Sequence, residues 1–196
     1  MKEINKYLIL IFFVFLSFST QAKSINLSIG SPSAKVTVKV FSSLTCPHCA
    51  NFHSSVFNDL KKDYIDKGLV KFEHHAFPLD LAALHAEVIV RCQDNNEKKF
   101  KLLEEIYKKQ KTWAIGSDIN KINTLIKKIG LNFDLTDEKM NKCLNNSQTQ
   151  DEILNERIEA QKNYEIDSTP TVYVNGKKYS GKVNYKSFKK IIEKNL

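Results

Sequence analysis

The chain has 196 residues, enough for one domain with an insertion and a sizeable core. Its 30 Lys and Arg against 22 Asp and Glu leave a formal charge of +8, but the lysines spread along predicted helix faces without an arginine-rich or aromatic-interleaved stripe. That surplus reads as solvated surface and excludes a nucleic-acid footprint; with no Ser/His/Asp set, phosphate loop or paired-carboxylate motif, the chemistry falls to four cysteines.

In chain order, Lys2 and Lys6 precede an almost wholly apolar stretch at residues 7–18, and Thr20-Gln21-Ala22 places small residues where a signal peptidase cuts. Residues 1–22 therefore read as a cleaved signal peptide, since a dozen apolar residues fall short of the about twenty a membrane span needs. The alternative is a retained N-terminal anchor. All four cysteines lie beyond the cut, and disulfides persist outside the cytosol.

Val36, Val38 and Val40 alternate with Thr37 and Lys39, a half-buried strand over 36–41. Cys46-Pro47-His48-Cys49 follows, and then Phe52, Val56, Leu60 and Tyr64 recur every four residues, one apolar helix face. The motif thus sits where a strand ends and a helix starts. There the unpaired N–H groups and the positive end of the helix dipole stabilise a thiolate, the reactive form of cysteine. Cys46 is the expected attacking sulfur. Pro47 suits the first helical position, His48 adds a donor, and Cys49 lies one turn on, near enough to close a small disulfide. A zinc half-site using His53 is the alternative, but no second CxxC or HxxxH tract accompanies it. No metal or other cofactor is expected.

Gly68 marks a turn before a second strand over 70–77, which completes a strand–helix–strand crossover with parallel pairing. From Pro78 to about residue 163 the pattern is helical. Leu81, Leu84, Val88 and Cys92 form one stripe, and Phe100, Leu103 and Tyr107 another. Ile119, Ile122, Ile126 and Ile129 follow behind Asp118, with Gly130 read as the stop. A short helix carries Met140, Cys143 and Leu144, and a longer polar one uses Leu154 and Ile158 with Gln161 or Tyr164. Strands then return at 171–174 and 177–180 around Asn175-Gly176, a strong hairpin signal, and a helix from residue 185 closes the chain with Phe188, Ile191 and Ile192 inward. The predicted fold is α/β, with residues 23–79 and 149–196 sharing a central mixed sheet and 80–148 inserted as an all-helical block.

A strand feeding Cys46-Pro47-His48-Cys49, together with Ser168-Thr169-Pro170-Thr171 leading into Val172-Tyr173-Val174-Asn175-Gly176, resembles the thioredoxin fold. The CPHC sequence, the helical insertion and the export signal narrow the resemblance to the DsbA family of periplasmic disulfide oxidoreductases. This implies a cis bond before Pro170, with Thr169 and Pro170 lying against the active-site sulfurs. It further implies donation of the Cys46–Cys49 disulfide to reduced, newly exported polypeptides in the periplasm of a Gram-negative cell. A DsbB-like membrane quinone reductase would reoxidise the pair, and a monomer is expected. One departure stands out: many members carry a buried acid where this chain has Val40. Disulfide reduction or isomerisation, and a non-enzymatic zinc-binding or chaperone role, are the alternatives.

Cys92 and Cys143 both fall on apolar faces of the insertion. In an oxidising compartment they are expected to form a structural disulfide, as in some α-proteobacterial relatives; two separate buried thiols are the alternative. His74 and His75 must point to opposite faces of their strand. These two, His53 and His85 read as structural, and Lys39, awkward in a central strand, is expected to reach the sheet rim.

Overall fold

A computed structural model describes residues 27–196; the signal peptide read at 1–22 lies outside the described residues. Among those residues, five strands form one mixed sheet: β1 (Leu27–Ile29), β2 (Val36–Ser42), β3 (Val70–Ala76), β4 (Thr171–Val174) and β5 (Lys177–Lys178), in the order β1-β3-β2-β4-β5. Strands β2 and β3 run parallel, Val36 facing Val70 and Ser42 facing Ala76, while the other pairs are antiparallel. The parallel pair is joined by helix α1, spanning 47–65, which begins as Pro47–Phe52 and passes through wider π-type turns at His53–Phe57 and Lys61–Ile65. Its predicted stripe, Phe52, Val56, Leu60 and Tyr64, is buried against Val36, Val38 and Val40 of β2 and Phe72 of β3 in one continuous core.

Between β3 and β4 lie the helices α2 (Leu81–Arg91), α3 (Asn96–Lys108), α4 (Gln110–Trp113), α5 (Ile119–Leu131), α6 (Asp137–Leu144) and α7 (Ser147–Asn163); α8 (Tyr185–Asn195) follows the sheet. This is the predicted α/β sheet with an all-helical insertion. Asp80, Asn95, Asp118, Thr136, Asn146 and Asn184 each accept a backbone N–H at a helix start. Each satisfies a donor that would otherwise lack a partner and sharpens a boundary. At the β4–β5 hairpin Asn175 (φ 46°) and Gly176 (φ 77°) both adopt the left-handed conformation that a two-residue turn of this hand requires. Among the described residues no helix is long and apolar enough to cross a membrane.

The structure differs from the sequence reading at five places. The three-residue β1 has no alternation to detect and exists through its pairing with β3. Strand β5 stops at Lys178, although Tyr179 N–H still reaches Val172 O at 2.8 Å. Gly130 does not end its helix, which runs on to Leu131; a Cβ there would lie 2.5 Å from Met140 Sδ, so the glycine serves a close approach of α6. On α7, Leu154 and Ile158 are exposed, and the inward face carries Ile153 and Ala160. Glu156 of that helix binds Arg91 and the Ala76 N–H instead. Lys39 stays on the sheet face rather than reaching the rim, pairing with Glu73 at 3.6 Å and donating to the Tyr164 hydroxyl at 3.3 Å.

Candidate active site

The geometry of the CPHC stretch follows from the end of β2. After Ser42 the chain leaves the sheet, Cys46 N–H bonds Ser43 O, and Cys46 becomes the extended residue capping α1 (φ −76°, ψ 120°) with Pro47 as the first helical residue. Proline has no N–H to leave unpaired at that position, and its ring presets the helical φ. The carbonyl of Cys46 accepts from Cys49 N–H (3.1 Å) and Ala50 N–H (3.2 Å), closing the first turn. Pro47 and His48 are exposed. Cys49 is fully buried and Cys46 is only 7% exposed, so the outer sulfur is less open than its position in the sequence suggests. Both cysteines are free thiols.

Across from them the Thr169–Pro170 peptide bond is cis, and Cys46 Sγ lies 3.3 Å from the Thr169 carbonyl. That contact accepts from the thiol form. The balance nevertheless favours the anion: the Cys49 thiol donates toward the Cys46 sulfur, and against the cost of burial the Thr169 hydroxyl and the backbone N–H groups of Cys49 and His48 add further donors. Together they lower Cys46 to about 5. Cys49 moves far the other way, because burial and the neighbouring Cys46 sulfur both disfavour a second anion. Such a pair titrates as a unit: one proton leaves easily and the second is held. The chemistry it supports is thiol–disulfide exchange with Cys46 as the entering and leaving sulfur.

The helical insertion holds this turn from behind, by residues that the sequence reading did not single out. Gln110 Nε2 donates to Leu44 O (2.8 Å) and Cys46 O (3.0 Å), and Thr45 Oγ1 donates to Asp80 Oδ2 (2.8 Å) while Asp80 Oδ1 caps α2. Only the Asp80 cap had a local signal, an acid just before an apolar helical stripe.

The remaining candidates sit elsewhere. Val40, fully buried, faces His74 and Val172. His74 and His75 point to opposite faces of β3: His74 Nε2 lies 3.1 Å from Glu87, and His75 Nε2 lies 3.2 Å from Glu73. His85 Nδ1 lies 2.9 Å from Asn123 Oδ1. His53 is buried one turn below Cys49, and among the described residues no three His, Cys, Asp or Glu side chains come together as a metal site. Cys92 and Cys143 are disulfide-bonded, Cα–Cα 6.0 Å, tying the end of α2 to α6 within the helical block.

A dithiol at the tip of the first crossover helix, faced by a cis-proline loop that opens an adjacent strand, defines the thioredoxin-fold class. A family model described as Thioredoxin matches residues 23–194. Disulfide bond formation protein D of Bacillus subtilis is 33% identical over 178 residues, covering 86% of this chain and 76% of that protein. The crystal structure of Wolbachia pipientis alpha-DsbA1 superposes with a TM-score of 0.80 at 27% identity, covering 87% of this chain and 90% of that one. The chain belongs to the thioredoxin family, within its DsbA branch. A relative from Rickettsia bellii, 28% identical over 77% of this chain, is matched over 57% of its own length, so the chain spans little more than half of that protein.

Proposed function

We propose that this protein is a thiol:disulfide oxidoreductase that donates the Cys46–Cys49 disulfide to reduced polypeptides exported from the cytosol. The observation that carries this is the asymmetry of the pair: Cys46 at the helix tip beside Thr169, its thiolate favoured down to about pH 5, and Cys49 buried beneath it as a held thiol. A substrate thiolate attacks Cys46 Sγ of the oxidised pair, the S–S bond breaks, and the Cys49 sulfur takes up a proton as a mixed disulfide forms. The substrate's second thiolate then attacks its own sulfur in that bond, and Cys46 leaves as a thiolate. The substrate leaves oxidised and the protein reduced. Each pKa unit by which Cys46 falls below a free thiol is worth about 1.4 kcal/mol toward the reduced, ionised protein, which makes its disulfide oxidising.

Thr169 and Pro170 are half-buried beside Cys46. In this reading they receive an extended substrate segment through backbone hydrogen bonds, a mode that tolerates many sequences. His48 and Pro47 set the electrostatics and entry of the turn. The leader at 1–22 directs export to the periplasm, and a DsbB-like membrane quinone reductase restores the disulfide; the name of the Bacillus relative, a disulfide bond formation protein, supports this direction of flow.

The test is equilibration of the full chain with glutathione buffers and oxidation of a reduced, unfolded polypeptide. A potential well above that of the glutathione couple, with oxidation abolished by Cys46→Ser, is the expected result. A potential below glutathione, or unimpaired oxidation by Cys46→Ser, would overturn the reading.

A further inference from the structure

The positive charge, which the sequence alone presents as solvated surface, is not shared evenly along the chain. Residues 27–176 carry 20 Lys and Arg against 20 Asp and Glu, a balance of zero. Residues 177–196 carry seven lysines against Glu193 alone, so the last twenty residues hold the whole surplus of the described chain.

These lysines share one surface. On α8, Phe188 and Ile192 are fully buried, while Lys186, Lys190 and Lys194, four residues apart, lie on the opposite, exposed face with Lys189 beside them. The hairpin adds Lys177 and Lys178, and the turn before α8 adds Lys182, all exposed. Tyr179 fastens the hairpin to the helix: its ring packs on Phe188, centroids 4.5 Å apart, and its hydroxyl donates to Lys182 O at 2.9 Å. Among the described residues two of the seven meet a carboxylate, Lys178 with Asp167 at 2.8 Å and Lys189 with Glu193 at 3.8 Å. The other five present their charge to solvent.

This basic face lies far from the dithiol. Asn175 at the hairpin turn donates its N–H to Thr37 O (2.9 Å) and accepts the Thr37 N–H on Oδ1 (2.8 Å), and Lys35 Nζ donates to Leu196 O (3.0 Å). The hairpin turn and the end of α8 thus both meet the start of β2. Cys46 follows the other end of that seven-residue strand, about 20 Å away at roughly 3.3 Å per residue.

We propose that the face built from the β4–β5 hairpin and α8 docks on an anionic phospholipid bilayer and leaves Cys46 turned away from it. The proposal goes beyond the exchange chemistry above and does not depend on it. A chain balanced over residues 27–176 and basic over 177–196 carries a charge asymmetry that orients it before contact, basic end first. A cluster of basic side chains on and beside an amphipathic helix is the pattern that anionic headgroups attract. All seven are lysine, a hydrated point charge that serves many headgroups at once; recognition of one phosphate or carboxylate on a folded partner favours the planar fork of arginine, which this segment lacks. Val183 before α8 (44% exposed) and Leu196 after it (38% exposed) place apolar side chains at both ends of the helix, suited to the boundary between headgroups and acyl chains. Docking held mainly by charge is reversible, so the same molecule is free to leave the bilayer and turn Cys46 toward a membrane oxidant.

The test is co-sedimentation of the exported protein with phosphatidylcholine vesicles, prepared with and without about a third phosphatidylglycerol. Binding to the anionic vesicles is expected to exceed binding to the neutral ones by about tenfold or more at about 0.01 M ionic strength, and to fall steeply at about 0.15 M as the Debye length shrinks from about 30 Å to about 8 Å. Lys186→Gln/Lys189→Gln/Lys190→Gln/Lys194→Gln should lose about tenfold or more of that binding, since each lysine close to an anionic surface is worth about fivefold. Lys121→Gln/Lys128→Gln/Lys142→Gln/Lys162→Gln, which removes four exposed lysines elsewhere for the same change in net charge, should stay within about twofold of the unaltered protein. Iodoacetamide should alkylate Cys46 equally fast with and without vesicles. Equal binding to the two kinds of vesicle, equal loss in the two quadruple variants, or protection of Cys46 by the vesicles overturns the proposal, as does capture by poly-glutamate with no binding to lipid. None of these outcomes touches the exchange reading, which Cys46→Ser decides.

Discussion

The Gln110 side chain reaches across from the helical insertion and donates a 3.0 Å hydrogen bond to the carbonyl of Cys46, the residue that caps α1. The same nitrogen serves Leu44 O, so one buried amide ties down both ends of the loop leading into the dithiol. Its removal leaves buried acceptors without that donor, at a cost of about 1–3 kcal/mol. Gln110→Ala is therefore expected to lower the unfolding free energy by that amount, read as a lower denaturant midpoint at an unchanged slope. With the turn loosened, Cys46 should also titrate above the unaltered protein, read from thiolate absorbance.

The two thiols make the stability of the reduced protein depend on pH in a defined way. Folded Cys46 ionises near 5 and an unfolded cysteine near 8.5, so between those values the unfolded chain binds more protons and stability rises with pH. The gain is complete above the unfolded pKa and vanishes as pH falls through about 5. Cys49, raised by burial and by Cys46, has the opposite sign: the folded state holds its proton while the unfolded state loses it, so stability declines above the unfolded pKa. Reduced protein should thus gain stability relative to the oxidised form from pH 5 to about 8.5 and lose it again beyond. Melting temperatures of both forms across pH 4–10 check this; a flat difference would refute it.

The backbone plan was readable from the chain because each main element carries its own periodicity. Val36, Val38 and Val40 alternate, α1 repeats every four residues, and Asn175-Gly176 specifies its turn. Asp118 marked one helix start in the sequence; the caps at Asp80, Asn95, Thr136, Asn146 and Asn184 emerged with the structure. What escaped was decided by partners distant in sequence. Gln110 sits 64 residues from Cys46, and nothing in its local pattern distinguishes it from a surface glutamine. On α7 the apolar Leu154 and Ile158 invite an inward assignment, but the helix turns so that Glu156 meets Arg91, an electrostatic demand that periodicity does not register. Gly130 carries the usual mark of a helix end, and only the place of Met140 reveals that it is an interior contact. For the site, the CPHC and Thr169-Pro170 segments stood out as motifs, whereas the ring of His53 against Tyr107 joins residues from two different helices.

The disulfide between Cys92 and Cys143 closes a loop across a sequence separation of 51 residues. Constraining the unfolded chain by such a loop stabilises the fold by about 4 kcal/mol on the chain-entropy model, with typical measured values of about 2–4 kcal/mol. A Cys92→Ala/Cys143→Ala protein should therefore unfold at lower denaturant while retaining alkylation of Cys46. Intact-mass analysis after alkylation without reductant should show neither residue labelled in the unaltered chain.

Arg91 joins α2 to α7 through two carboxylates, Glu87 at 3.2 Å and Glu156 at 2.5 Å, with all three side chains largely buried. Glu87 also meets His74 of β3, and Glu156 approaches His75, so the cluster spans both sides of that strand. Burial opposes the charge on Glu87, yet His74 and Arg91 outweigh it and hold its carboxyl at about 2. Replacing one member leaves the others charged and desolvated, which costs about 3–5 kcal/mol for a buried pair, far beyond the packing lost. Arg91→Leu should therefore be severely destabilising by urea unfolding, because Glu87 and Glu156 then lose the guanidinium that both contact. The loss should shrink in Arg91→Leu/Glu156→Leu, which removes one of the stranded anions. In the unaltered protein the contribution from Glu87 is present above its unfolded pKa near 4.3 and fades as pH falls through about 2, so this junction should survive mild acid. A double variant no more stable than Arg91→Leu would show that shape, and not charge, holds these helices to the sheet.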